Sequence, residues 1–546
     1  MTIIKTKHNL ISDLLLYIIT AIALHYTINK VESLSRIEFT QSFKMFLILV
    51  VPALFVACIT INDMRTNKVK EETDNSDWRK AAYPAPPAQL LSTRPKDWCI
   101  GKWRDKYVCL PFTKDGVNMI VIGSPGSGKS VFLLNVLYSL IYSDMIFNKS
   151  SNVGKKWNAF ICDIKGELYQ KLLPQSELPY VADSKNKIHV VQPSNRSSYG
   201  WDVFYRVHKE NVTETEKLKA VTDIADALID EANGDDAFFS VNAKRILTGV
   251  LYYYIEKGYE FVAIIRELTT KSLAELLKEI VEQAEKDMNT IVLSKLKSFV
   301  GKEDNDSVGD IETTLKQYLD IFLYPDIIFA LDTNEHKTSP AVLNDGETFL
   351  DLAIEESMLA TYRPVFRLIT MQVLRHCESE FKEDDDRITS LIIDEAARVG
   401  KIQGIENSMA TLRSKHTNLL MLFQQLQQFT SIYKKDLSEA IINLCEIKMW
   451  LSASGDKETV DYLSSIAGEY ETKKSNYKNR NGIIQGKSDI RYSDEKQNII
   501  TGKSISNLRE KGELICIWYG HYLRVKKLYY FKDKYLKKIA NSLKEN

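Results

Sequence analysis

The chain has 546 residues, 44% hydrophobic and 26% charged, with 72 Lys plus Arg balanced by 72 Asp plus Glu. That length exceeds what one compact core accommodates, so more than one domain is expected, and the composition fits an ordinary globular protein. A net charge of zero excludes any argument from global charge about a nucleic-acid partner; only local clusters carry one. The cysteines at 58, 99, 109, 162, 377, 445 and 516 form no CxxC pair or metal-ligand spacing, as expected of reduced thiols in a cytosolic body.

In chain order, the first signals are two apolar stretches. Leu10–Ile28 is interrupted by Asp13 and His25, and Met45–Ile61 runs without a charge. Each approaches the roughly 20 residues that cross a bilayer, and no A-x-A cleavage pattern marks the first as a leader. A two-helix transmembrane hairpin with spans near 10–28 and 43–61 is therefore expected within residues 1–70. Lys5 and Lys7 precede it, and Arg65, Lys68 and Lys70 follow. The connecting loop sets Lys30 and Arg36 against Glu32 and Glu38. The positive-inside rule then places both ends in the cytoplasm, in a multi-pass inner (plasma) membrane protein. Residues 71–100, with Pro84, Pro86, Pro87 and Pro95, read as a semi-rigid linker.

Val117–Ile122 is short, β-branched and ends at glycine, which predicts a buried strand, and a helical pattern follows from Lys129. Asn158–Cys162 and His189–Val191 predict further strands, so residues 101–205 read as the first part of an α/β domain with a parallel sheet. Residues 206–345 change character. Amphipathic helical patterns dominate, with capping-box spacing at Thr213/Glu216 and Ser272/Glu275, which predicts an all-α insertion. Strand patterns return at Ser390–Ile393, Asn418–Phe423, Ile447–Ser452 and Glu513–Trp518, so residues 346–546 complete the sheet. The last 26 residues hold Arg524, Lys526, Lys527, Lys532, Lys534, Lys537, Lys538 and Lys544 against Asp533 and Glu545, interleaved with tyrosines. Such a tail either contacts phosphates and stacks on bases, or is a final strand followed by a solvated helix. Lys473, Lys474, Lys478 and Arg480, with Gly482 and Gly486, predict a mobile basic loop.

Gly123-Ser124-Pro125-Gly126-Ser127-Gly128-Lys129-Ser130 matches G-x-x-x-x-G-K-[ST] between a predicted strand and a predicted helix. The glycines let successive backbone N–H groups converge on phosphate oxygens, at the positive end of the following helix. Lys129 would reach the β- and γ-phosphates of ATP, and Ser130 would ligate Mg²⁺. Leu391-Ile392-Ile393-Asp394-Glu395 is an apolar strand ending in two carboxylates. Asp394 would hold Mg²⁺ and Glu395 would polarise the attacking water. Arg413 lies on a helical stretch beyond them, and Gln424 ends the strand NLLMLF. From the residues alone, an arginine finger and a γ-phosphate sensor stand beside an ordinary surface charge and strand-end amide.

These motifs, with Asp163-Ile164-Lys165-Gly166-Glu167-Leu168-Tyr169, Tyr199-Gly200-Trp201-Asp202, Phe238-Phe239, Ala243-Lys244-Arg245 and residues 391–433, resemble the coupling proteins of type IV secretion and conjugation, the TraG/TraD kind. The resemblance covers roughly residues 100–530. It implies a RecA-like P-loop ATPase fold with an inserted all-α domain, and a homohexameric ring. It further implies that Arg413 acts on the γ-phosphate of a neighbouring subunit and that Gln424 couples phosphate loss to movement. The partners implied are DNA, a relaxase/relaxosome or effector proteins, and the secretion channel. The expected activity is ATP-driven pumping of a relaxase-bound strand. Three alternatives stay open: a protein-effector coupling ATPase, another membrane DNA translocase, and a scaffold whose nucleotide site is structural.

Overall fold

The structure, a computed structural model, describes residues 2–35, 38–57, 83–111, 115–147, 157–172, 188–230, 236–301, 306–345, 348–380, 387–452, 457–477 and 490–545. It divides into two compact units, Met1–Ala82 with Glu469–Ile499, and Tyr83–Gly468 with Ile500–Asn546.

The larger unit opens with strands β1 (Leu91–Ser92), β2 (Trp98–Trp103), β3 (Lys106–Leu110), β4 (Asn118–Gly123), β5 (Trp157–Asp163), β6 (Ile188–Val191), β7 (Gly200–Trp201), β8 (Lys337–Thr338), β9 (Phe349–Ala353), β10 (Ile388–Ile393), β11 (Thr417–Phe423) and β12 (Ile447–Ser452). The smaller unit contributes a hairpin, β13 (Glu469–Tyr477) and β14 (Ile490–Asn498). The larger then resumes with β15 (Glu513–Trp518) and β16 (His521–Lys527). The helices of the smaller unit are α1 (Thr2–Ser35) and α2 (residues 41–57). Those of the larger unit begin with α3 (Lys129–Phe147) and α4 (Leu168–Leu172). An α-helical run follows: α5 (Glu214–Leu228), α6 (Asp236–Glu256), α7 (Phe261–Thr270), α8 (Leu273–Lys286), α9 (Thr290–Leu296), α10 (Asp306–Leu319) and α11 (Pro325–Ile328). After it come α12 (Leu359–Ser379), α13 (Ala396–Val399), α14 (Ile405–Arg413), α15 (Leu426–Leu444), α16 (Lys457–Ala467), α17 (Gly502–Ser506), α18 (Leu508–Lys511) and α19 (Leu536–Glu545).

The main sheet has the order β1-β3-β2-β16-β15-β12-β4-β11-β10-β5-β9-β6. From β12 to β6 every neighbouring pair is parallel, and from β1 to β12 every pair is antiparallel. Each residue of β4, β5 and β11 is buried, because helices cover both faces of the parallel half. That burial is why these strands read as continuous apolar runs rather than as alternation.

The helical run leaves the sheet through β7 and returns through β8, and these two strands pair with each other, Gly200 with Lys337 and Trp201 with Thr338. Only glycine fits at 200, since a β-carbon there would lie 2.8 Å from the Ala330 carbonyl oxygen. Trp201 is fully buried and its indole donates to Gln372 Oε1 at 2.7 Å, tying this neck to α12. The Tyr199–Asp202 passage is thus a structural seam. Thr213 and Glu216 form the reciprocal capping box at α5. Ser272 caps α8 without a side-chain bond, and Glu312 accepts from the Leu273 amide at 3.1 Å instead.

The C-terminal segment is folded into the sheet rather than free. β16 lies between β15 and β2, and Leu536, Ile539 and Ala540 of α19 join the core that holds α3. Asp533 accepts from Lys102 and Tyr107 and caps α19. Arg524 and Glu513 form a buried pair, Nε to Oε2 2.9 Å, with side chains 1% and 6% exposed. Removing Arg524 leaves the buried Glu513 carboxylate with the exposed Lys526 (2.9 Å) and the Tyr83 hydroxyl (3.2 Å), so Arg524→Met is expected to cost about 2 kcal/mol in urea unfolding, with Glu513→Leu in the same chain recovering part of it. A loss below about 1 kcal/mol would refute this account, the size of an exposed pair.

In the smaller unit, no described helix is long and apolar enough to cross a membrane. The described side chains of α1 run into Asn29, Lys30 and Glu32, which dilute the apolar stretch. The helix at residues 41–57 rises only about 26 Å at ~1.5 Å per residue, and 58–61 lie outside the described residues. The expected basic loop is in part strand: Lys473 and Lys474 sit on β13, paired with Asp494 and Ser493 of β14. Lys478, Arg480, Gly482 and Gly486 lie outside the described residues.

Candidate active site

Because the strands are parallel, β4, β11 and β10 all end at one edge of the sheet. The loop 123–130 follows β4, Gln424 follows β11, and Asp394-Glu395 follow β10. β11 is the one strand between loop and carboxylates, so at ~4.8 Å per strand they stand about 10 Å apart. That spacing accommodates a metal-bound triphosphate.

In the loop, Gly126 (φ +73°) and Gly128 (φ +94°) occupy left-handed backbone. A β-carbon on Gly123 would stand 2.5 Å from Ser127 Oγ and 3.2 Å from Lys129 Cγ, so the turn admits only glycine. Ser124 is fastened to β12, its amide donating to the Ser452 carbonyl at 3.2 Å and its hydroxyl 2.7 Å from that of Ser452. Lys129 Nζ donates to the Gly123 carbonyl at 2.8 Å, and Ser130 follows it in the first turn of α3. Burial lowers the Lys129 pKa, an effect opposed by Asp394 and Glu395 and reinforced by Lys165 and Arg398, so these five groups share one electrostatic environment.

Asp394 and Glu395 are both 4% exposed. Glu395 adopts a left-handed backbone (φ 47°, ψ 48°), uncommon for a side-chain-bearing residue and frequent where function over-determines geometry. Its amide donates to Asp394 Oδ1 at 2.9 Å. Gln424 Nε2 donates to Glu395 Oε1 at 3.3 Å, and Arg398 Nε lies 2.7 Å from Oε2. Gln424, expected from the sequence to respond to the γ-phosphate, thus lies within hydrogen-bonding distance of Glu395. Asp163, at the end of β5, accepts from the amides of Leu168 (2.6 Å) and Lys165 (3.3 Å) and closes the turn into α4.

Burial, then repulsion from Glu395, pushes the Asp394 carboxyl up to about 6, with Lys129 acting in the opposite sense. The folded chain thus holds this proton more tightly than the unfolded chain. The stability it supports is present at low pH and lost as pH rises from about 4 through 6. Near neutral pH the ionised carboxylate opposes folding until a cation meets it. We expect Asp394→Asn to stabilise the nucleotide-free protein by roughly 1–3 kcal/mol near pH 7.5, by the usual conversion of pKa shift to free energy, while abolishing Mg²⁺-dependent nucleotide binding. Thermal unfolding at pH 5 and 7.5 checks this, and an Asn variant that is less stable at both values contradicts it. A buried carboxylate destabilised by its own charge, beside a serine hydroxyl and a glycine loop, is a donor set that fits Mg²⁺ with a nucleotide.

Arg413 is not part of this constellation. It ends α14 at the opposite edge of the sheet, where its carbonyl accepts from the Gly116 amide just before β4 (3.1 Å). Its guanidinium, about half exposed, pairs with Glu446 at 2.7 Å. Residue-by-residue reading missed Arg398 and Lys165, and also Ser452, Arg509 and Lys527 at the loop. Arg398 was legible in principle, three residues after Glu395 on a helix.

A family model described as type IV secretory system conjugative DNA transfer matches residues 71–546. VirD4 of Rhizobium rhizogenes is 21% identical over 393 residues, covering 70% of this chain and 56% of that protein. TraG of Rhizobium radiobacter is 24% identical over 332 residues, 58% of this chain and 50% of that protein. The chain thus spans about half the length of the curated relatives it matches. Among solved structures, the bacterial conjugative coupling protein TrwBdeltaN70 in its unbound monoclinic form superposes with a TM-score of 0.59 at 15% identity, covering 81% of this chain and 89% of that one. TrwB in complex with ADP and Mg²⁺ gives 0.59 at 15%, covering 80% and 90%. The α/β fold with a large mixed sheet is shared with these solved chains.

Proposed function

Because this chain belongs to the type IV secretory system conjugative DNA transfer family, we propose that it is an ATP-driven coupling protein that moves DNA, as a relaxase-bound single strand, into a type IV secretion channel. The observation that carries this reading is the convergence of loop, carboxylates and Gln424 at one sheet edge, with Arg413 exposed at the other. The motor chemistry follows from the chain's own groups. The loop amides and Lys129 bind the β- and γ-phosphates and offset their charge. Ser130 and Asp394 would hold Mg²⁺, which supplies neutralisation of the charge developing between the phosphates. Glu395, held by Gln424, orients and deprotonates the attacking water. Loss of the γ-phosphate changes what Gln424 and Glu395 contact, and β11 with α15 carries that change away from the site.

Arg413 reaches a triphosphate only on another subunit, so a closed ring, a homohexamer in the family's pattern, completes each site. The N-terminal segment is assigned to the inner membrane, with the α/β body on the cytoplasmic side and the helical insertion available to a relaxosome or effector. The test is hydrolysis by the full chain with and without single-stranded DNA, beside crosslinked recovery from donor membranes. Stimulation by DNA together with recovery of the transferred strand supports the reading. Hydrolysis without DNA stimulation, with an effector protein recovered in place of a strand, reassigns the cargo.

A further inference from the structure

Two cations reach the phosphate loop from the C-terminal part of the chain. Lys527 closes β16 and its Nζ donates to the Ser127 carbonyl at 2.8 Å, anchoring the end of that strand on the loop. Burial, then the neighbouring charge of Arg509, lowers the Lys527 ammonium to about 8. Arg509 projects from α18 over Gly126, where a built β-carbon would stand 3.1 Å from its Nη2 and 3.4 Å from its Cζ. The side chain is exposed, and among the described residues it forms no ion pair with a carboxylate. Arg509, Lys527 and Lys129 therefore crowd one loop whose backbone already concentrates N–H dipoles. Such an arrangement is unfavourable until an anion enters, and a guanidinium's planar fork matches phosphate oxygens. Lys527 is already committed to a backbone carbonyl, which leaves Arg509 as the group free to turn toward a ligand.

We propose that Arg509 is a phosphate-binding residue of this chain's own nucleotide site, contacting the terminal phosphate of a bound triphosphate from above Gly126. It acts within the subunit, in contrast to Arg413, and Lys527 positions the strand beside it. The inference rests on the motor reading. The test measures equilibrium binding of fluorescent ATP and ADP analogues with Mg²⁺ to the full chain, comparing wild type, Arg509→Ala, Arg509→Lys and Lys129→Ala. Loss of one charge-assisted contact is expected to weaken triphosphate binding roughly 10- to 100-fold, with diphosphate binding changed less than about 3-fold and the lysine variant intermediate. Wild-type affinities for both nucleotides in Arg509→Ala would overturn the inference, and so would an equal loss of both, which marks a merely structural role. Lys129→Ala should lose both nucleotides. If wild type binds neither, the motor reading itself falls and takes this inference with it.

Discussion

Arg413→Ala is expected to lower ATP turnover by roughly 10³- to 10⁵-fold, the range measured for arginine fingers, while leaving nucleotide affinity near that of the wild type. The reason is position. Arg413 borders the start of β4 and the phosphate loop follows its end, six residues later at ~3.3 Å each, so the guanidinium stands about 20 Å from its own site. Its partner there is Glu446, which also accepts from the Asn118 amide at 2.8 Å and so belongs to the sheet edge. In the ring proposed above, that edge of one subunit would face the phosphate edge of the next, and Arg413 would exchange Glu446 for phosphate as the ring closes. A mixing experiment separates this from a local structural effect. Neither Arg413→Ala nor Lys129→Ala should turn over ATP appreciably alone, yet mixed rings would contain some interfaces with both an intact loop and an intact finger, so activity should partly return. An Arg413→Ala oligomer with full turnover would remove the assignment.

Glu395→Gln is expected to reduce turnover by roughly 10²- to 10⁴-fold, the usual worth of a positioned general base, with triphosphate still bound. Gln is nearly isosteric, so its amide oxygen still accepts from Gln424 while the ion pair with Arg398 is lost, and the backbone at 395 carries the same side-chain shape. What is lost is the proton acceptor. The variant should therefore accumulate with nucleotide bound and block DNA transfer even when mixed with wild type, measured by retained nucleotide and by mating frequency. Near-normal hydrolysis would place the base elsewhere, with Asp394 the remaining carboxylate at the loop.

Much of this arrangement was legible in the chain alone. The limits of β4, β5, β10, β11, β12 and β15 read from the sequence lie within one or two residues of those observed, because a strand covered on both faces, parallel or, like β15, antiparallel, presents a largely apolar run. The phosphate loop and the Asp394-Glu395 pair were legible for a related reason: a loop that binds phosphate with its backbone needs glycines at set offsets, and a strand end is where a carboxylate meets it. The antiparallel half of the sheet was largely missed, since β1 to β3 are short and lie among proline and charged residues. The basic tail read equally as a nucleic-acid arm or as folded structure. Burial of Arg524 against Glu513, and of Leu536 against the core, decides for the second.

Local chemistry, the identity of the loop and of the acids, follows from residues adjacent in sequence, whose spacing alone dictates where N–H groups and carboxylates point. What only the tertiary structure decided is which distant groups share that site. Gln424 meets Glu395 from the neighbouring strand, Lys527 and Arg509 gather at the loop, and Arg413 is carried to the far edge. Those placements depend on strand order in the sheet, which sets neighbours about 5 Å apart regardless of how many residues separate them along the chain.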